Sequence, residues 1–258
     1  MECPKCGFSH RDQHTECFRC GIIFEKYKGE PVTLSGGEAA AATAVDPPVA
    51  DEIDETEPED GWPALFRELV FHVPDGENPI NFGGRAVLFL ALFAWGLHFI
   101  FSPLDYEANS GFWHMVNLPF HEAGHILFRP FGAWITSLGG SLGQLLMPLV
   151  CLVVFLAKTR DPFAASVALW WFGQNFIDIA PYIADARAGV MPLLGGNTGQ
   201  TSPYGFHDWE FILGEIGMSR YDRGIATVSH GIGTAIIVLA WAWGGWLLWR
   251  QYRSLDRG

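Results

Sequence analysis

Apolar positions are distributed unevenly along this chain. Up to about Gly61 polar and small residues dominate, whereas beyond it Leu, Phe, Trp, Gly and Ala fill long runs with few charges. Four runs, 85–103, 139–157, 162–183 and 229–249, are long enough as helices to cross a hydrocarbon layer of about 30 Å. Arg85 precedes the first, Lys158 and Arg160 follow the second, and Arg250, Arg253 and Arg257 follow the fourth. Keeping these positive flanks in the cytoplasm gives four crossings with both termini inside. A further helix around His121, opened by Pro119 and closed by Arg129-Pro130, fits this count as a re-entrant or partial span. A full crossing there makes the count five and moves one positive flank outside. The pattern predicts an all-α multi-pass membrane protein with four to six membrane helices within 62–258.

Residues 189–206 are too polar and too broken by Gly and Pro to span. His207-Asp208-Trp209 then opens a short amphipathic helix with Trp209, Ile212, Leu213 and Ile216 on one side, suited to the membrane interface. Asp208 and Glu210 fall in its first turn, where carboxylates complement the helix dipole.

The net charge of -12 says little about the apolar part, because seven carboxylates crowd between Asp51 and Asp60. Residues 29–61 read as a disordered acidic linker, since they hold too little apolar surface to build a core. Before it, Cys3-Pro4-Lys5-Cys6-Gly7 and Cys17-Phe18-Arg19-Cys20-Gly21 form two C-x-x-C-G knuckles. Four thiolates at this spacing make a closed tetrahedral zinc site able to hold together a segment too small for a core, with disulfides as the alternative. Residues 1–28 are thus expected to be a zinc ribbon with structural zinc on Cys3, Cys6, Cys17 and Cys20. Its charged start is no cleavable leader, which places the N-terminus in the cytoplasm. Small ribbons of this kind act as adaptors, so a cytoplasmic protein is the expected partner, and nucleic acid is not.

Candidate chemistry lies at His121-Glu122-Ala123-Gly124-His125. On a helix the histidines project one turn apart from one face, so both imidazoles reach a single zinc, and Glu122 can act on a zinc-bound water. Ionisable groups at membrane depth are costly and usually mark function. A third protein ligand is expected from the polar stripe Gln174, Asn175, Asp178 and Asp185 in an otherwise apolar helix. Such a stripe should face the His121 helix, with Gln174 and Asn175 supporting the site or touching substrate. An interhelical hydrogen-bond stripe is the other reading. His207 is a further candidate ligand, though a histidine opening a helix is more often a cap. His98, His114 and His230 read as packed or interfacial, and His114 falls two turns before His121 if that helix runs through Pro119. Cys151 reads as core.

These residues resemble the intramembrane zinc metalloproteases of the site-2 protease family. The resemblance covers about residues 112–187: the His121–His125 motif, the glycine-rich turn at Gly139-Gly140, and a later helix with Asn175, Pro181 and Asp185. It implies a catalytic zinc on His121, His125 and an aspartate from the later helix, with Glu122 as general base. The family's aspartate sits in a Leu-Asp-Gly stretch where this chain has Ile183-Ala184-Asp185-Ala186. By the family's order Asp185 is preferred, with Asp178 and His207 as alternatives. The implied activity is zinc-assisted hydrolysis of a membrane-embedded peptide or protein in a bacterial inner membrane. Two other classes stay open: a non-catalytic scaffold using the ribbon as adaptor, and a proton or metal-ion transporter using the buried His/Asp cluster.

Overall fold

The computed structural model describes Cys3, Thr15, Phe24 and residues 61–73, 78–104 and 111–255. The other three ribbon cysteines, Cys6, Cys17 and Cys20, and the acidic linker up to Asp60 lie outside the described residues. The chain divides into two compact units, Met1–Glu55 and Thr56–Gly258. The second is helical throughout its regular elements: α1 (Trp62–Phe71), α2 (Pro79–Phe101), α3 (Phe112–Phe128), α4 (Ala133–Val154), α5 (Pro162–Ala184), α6 (Asp208–Glu215) and α7 (Asp222–Leu255). A π-helical turn, Phe155–Thr159, prolongs α4.

Local sequence sets several of these boundaries. Proline occupies the first turn of α2 and α5, where its missing N–H costs no helical bond. Asn78 and Asp161 precede them and cap the helices, accepting from the amides of Ile80 at 2.9 Å and Ala164 at 3.1 Å. Asp161 also pairs with Arg85 at 3.1 Å, which pins the start of α5 beside the start of α2. At its other end α5 leads to Arg187, 2.8 Å from Asp222 at the start of α7. So α5 runs the length of the bundle, antiparallel to α7.

The core forms along that contact. Trp170, Ile177, Ile237 and Ala240 are buried together with Leu92 and Phe99 of α2. At Gly173 and Gly233 the backbones of α5 and α7 approach so closely that an added Cβ on either would meet the other's carbonyl oxygen. Helices α3 and α4 cross the same way: a Cβ on Gly124 would strike the Gly139 carbonyl.

Among the described residues three segments are long and apolar enough to cross a membrane: Pro79–Phe101, Ala133–Thr159 and Ser219–Leu255. Many of their large apolar side chains, including Val87, Leu90, Val153 and Leu239, are exposed on the protein surface, as a lipid-facing shell requires. Of the four strong spans expected from apolar runs, three meet this measure of length and composition. The difference is α5, 23 residues long, whose buried Gln174, Asn175 and Asp178 lower its hydropathy. A correction concerns Pro119. It lies inside α3 rather than opening it, because the helix already starts at Phe112. Only the bond from residue 119 to the Met115 carbonyl is lost, and the helix continues through it.

Candidate metal centre

Because α3 runs unbroken through its motif, His121 and His125 stand one turn apart on the same face, with ring centroids 4.9 Å apart. Their outer nitrogens are both engaged. His121 Nδ1 lies 2.8 Å from Gln144 Oε1 on α4, and His125 Nδ1 lies 2.8 Å from the Thr136 carbonyl. The Gln144 amide is oriented by its own partners, since its Nε2 donates to Asn175 Oδ1 at 3.1 Å and to the Asp178 carboxylate at 3.4 Å. A carboxylate can only accept, which leaves Oε1 for the histidine. Both imidazoles thus donate Nδ1–H to an oxygen and turn a bare Nε2 inward.

The two Nε2 atoms converge on one carboxylate oxygen. Asp208 Oδ2 lies 3.1 Å from His121 Nε2 and 3.3 Å from His125 Nε2. Among the described residues, His121, His125 and Asp208 form a group whose potential ligand atoms all lie within 4.8 Å of one another. Separations of this size suit zinc: bonds of about 2.0–2.1 Å in a tetrahedral site put neighbouring ligand atoms about 3.3 Å apart. Three converging lone pairs repel one another unless protons or a cation lie between them. The space beside them exists because residue 140 is glycine, where an added Cβ would strike Nε2 of both histidines. Two imidazoles and a carboxylate match the three-ligand sets of catalytic zinc sites, which keep a fourth position open.

Helix α6 supplies Asp208 from the far side of the broken loop, and its start is fixed by two aromatics, half-buried Tyr182 and buried His207. The Tyr182 hydroxyl accepts from the Asp208 amide at 3.0 Å and donates to Asp208 Oδ2 at 3.3 Å. His207 caps the helix, its Nδ1 accepting from the Glu210 amide at 3.2 Å, and its ring packs 4.3 Å from that of Tyr182. Burial holds the His207 imidazole below its ordinary pKa despite the opposing pull of Asp185. The neutral ring is the form that leaves Nδ1 able to accept.

The site opens on a cavity of about 470 Å³. Glu122, His114, Thr136 and Tyr182 line it with the three converging residues, and Met191, Pro192, Leu193, Leu194 and Phe206 contribute one apolar wall.

Asp185, the third ligand expected from the sequence, is not among these converging groups. It follows the last turn of α5, where its carboxylate accepts from the amides of Val190 at 3.1 Å and Met191 at 2.8 Å. It also faces His207 Nε2 at 3.4 Å. Of the alternatives, His207 is the cap just described and Asp178 faces His114 Nδ1 at 3.2 Å and accepts from Asn117 at 3.0 Å. The polar stripe of α5 does face α3: Gln174 Oε1 accepts from Asn117 at 2.9 Å. Asn175 touches the centre only through Gln144. Sequence reasoning missed Asp208, Gln144 and Tyr182, and it read Gly139-Gly140 as a turn, whereas both lie inside α4. Asp208 carried a signal, a carboxylate next to a histidine after a broken apolar loop, but its place in a helix's first turn already had an explanation in the helix dipole.

No protein-family profile, curated protein or solved structure matches the chain.

Proposed function

We propose that this protein is an intramembrane zinc hydrolase that cleaves peptide bonds in membrane-embedded segments. One observation carries the reading: His121 Nε2, His125 Nε2 and Asp208 Oδ2 converge within 4.8 Å of one another, beside Glu122 in an open cavity among apolar helices. His121, His125 and Asp208 would hold the ion. Zinc bound there supplies Lewis acidity, making water acidic near neutral pH and polarising an amide carbonyl.

The chain's own groups do the rest. Glu122, next to His121 and lining the same cavity, takes the proton from the attacking water and returns it to the leaving amine. Gln144 and the Thr136 carbonyl hold the imidazoles in the tautomer that presents Nε2. Tyr182 orients Asp208 and limits its freedom to rotate away. The apolar wall from Met191 to Leu194, with Leu118, Ile179 and Phe206, suits an apolar peptide segment whose helix has unwound enough to expose a carbonyl.

Topology belongs to the same reading. Since α5 runs from the end of the bundle marked by Arg85 to the start of α7, it acts as a fourth crossing shielded by its neighbours. Arg85, Lys158, Arg160, Arg250 and Arg253 then mark one side, which the positive-inside bias assigns to the cytoplasm together with the N-terminal ribbon. The test is zinc content and proteolysis of a reconstituted transmembrane substrate by the full-length protein. One core zinc beyond the ribbon's, with turnover that Glu122→Gln removes, is expected. Absence of core zinc from the folded protein, or turnover unchanged in Glu122→Gln, overturns it.

A further inference from the structure

At the opposite end of the bundle α1 lies against the last turns of α7, and the two enclose a cleft. Trp243 Nε1 donates to the Val70 carbonyl at 2.9 Å, and Phe71 meets Trp246 edge to face at 5.2 Å. The cleft has a volume of about 590 Å³ and is lined by Arg67, Glu68, Phe71, His72, Trp246 and Arg250. Its charge is uneven. Glu68, the sole carboxylate in it, is turned to Arg160 at 2.9 Å. Among the described residues neither Arg67 nor Arg250 has a carboxylate partner, and Arg250 lies over the Trp246 ring, 5.2 Å from its centroid. Two guanidinium groups that line one cleft and have no carboxylate partner among the described residues attract an anion.

Which anion follows from the surroundings. Leu65 and Phe66 of α1 are exposed, as are Trp249 and Tyr252, which neighbour Arg250 on the last turns of α7. Apolar and aromatic side chains flanking arginines at the end of apolar helices are the pattern of the headgroup level of a bilayer. Arginine forks fit phosphate oxygens, and the exposed apolar residues fit acyl chains.

We propose that the cleft between α1 and the end of α7 is a binding site for the headgroup of an anionic phospholipid. Arg67 and Arg250 hold the phosphate, and Phe71 and Trp246 cover the glycerol backbone. The site ties α1 to the membrane surface at the bundle end where Arg85, Arg160 and Arg253 also gather. This inference rests on the membrane reading and is independent of the hydrolase, since zinc content and turnover are separate readouts.

The experiment measures lipid retained by the full-length protein in a neutral detergent, by native mass spectrometry, with phosphatidylglycerol and phosphatidylcholine offered at equal concentration. The wild type should retain phosphatidylglycerol on the order of 25-fold better, from two surface arginines each worth roughly a factor of five. The Arg67→Gln/Arg250→Gln variant should lose that preference, the Arg67→Lys/Arg250→Lys variant should keep part of it, and Arg220→Gln/Arg223→Gln, at the far end of α7, should keep all of it. An unchanged helical circular-dichroism spectrum and a monodisperse elution profile show that each variant is folded. A preference that survives in the double glutamine variant, or is missing from the wild type, overturns the proposal. Displacement of the lipid by equimolar inorganic phosphate also overturns it, by assigning the cleft to a soluble anion.

Discussion

Asp208 Oδ2 lies 3.1 Å from His121 Nε2 although 87 residues separate the two in the chain. Helix α6, only eight residues long, comes back over the cavity to bring this carboxylate to the histidine pair. Three groups fix the approach: the Tyr182 hydroxyl on the amide and carboxylate of Asp208, the buried His207 cap, and the buried Gln144 amide behind His121. A short helix docked this way positions its first residue as firmly as a long one does.

If Asp208 is the third ligand, its removal should cost the core zinc while removal of Asp185 should not. Asp208→Ala leaves two imidazoles and no carboxylate, so zinc measured on the purified protein should fall by one per chain. In Asp185→Ala and Asp178→Ala the ligand set is intact and the zinc should stay. Loss of zinc from Asp185→Ala with Asp208→Ala unaffected would falsify the assignment.

Glu122→Gln keeps size and packing and removes the proton acceptor. Turnover of a reconstituted substrate should fall by about 10²-fold or more, the range typical of a lost general base, with zinc content unchanged. Coupled loss of zinc and activity would point to a structural or ligand role for Glu122.

The sequence made the histidine pair and its glutamate legible because their spacing is local: one helical turn joins all three, whatever the tertiary fold. The apolar helices were legible for the same reason, since length and hydropathy belong to each segment alone. The carboxylate that joins the pair was not, because it depends on where α6 docks. Asp178 on α5 and Asp185 just after its last turn looked equivalent in the sequence. Their separate fates follow from groups no local pattern shows, the Val190 and Met191 amides that engage Asp185 and the His114 and Asn117 side chains that engage Asp178. Pro119 misled in the other direction, marking a helix start where α3 simply tolerates it.

Gly140 should accept no side chain. Gly140→Ala puts a methyl against Nε2 of both histidines, so zinc affinity should drop by at least an order of magnitude while the protein stays folded. Zinc competition with a chelator measures this. A wild-type affinity in Gly140→Ala would mean that the ion sits elsewhere or that the helices shift at little cost.

Gln144 separates orientation from ligation. Gln144→Leu preserves the packing volume but removes the acceptor of His121 Nδ1–H and the donor to Asn175 and Asp178. Losing an orienting partner of this kind typically costs 10- to 100-fold in metal affinity or activity. Gln144→Glu restores an acceptor for His121 and should regain part of the zinc affinity that Gln144→Leu loses. Equal zinc affinities in the two variants, measured by chelator competition, would show that Gln144 contributes packing alone.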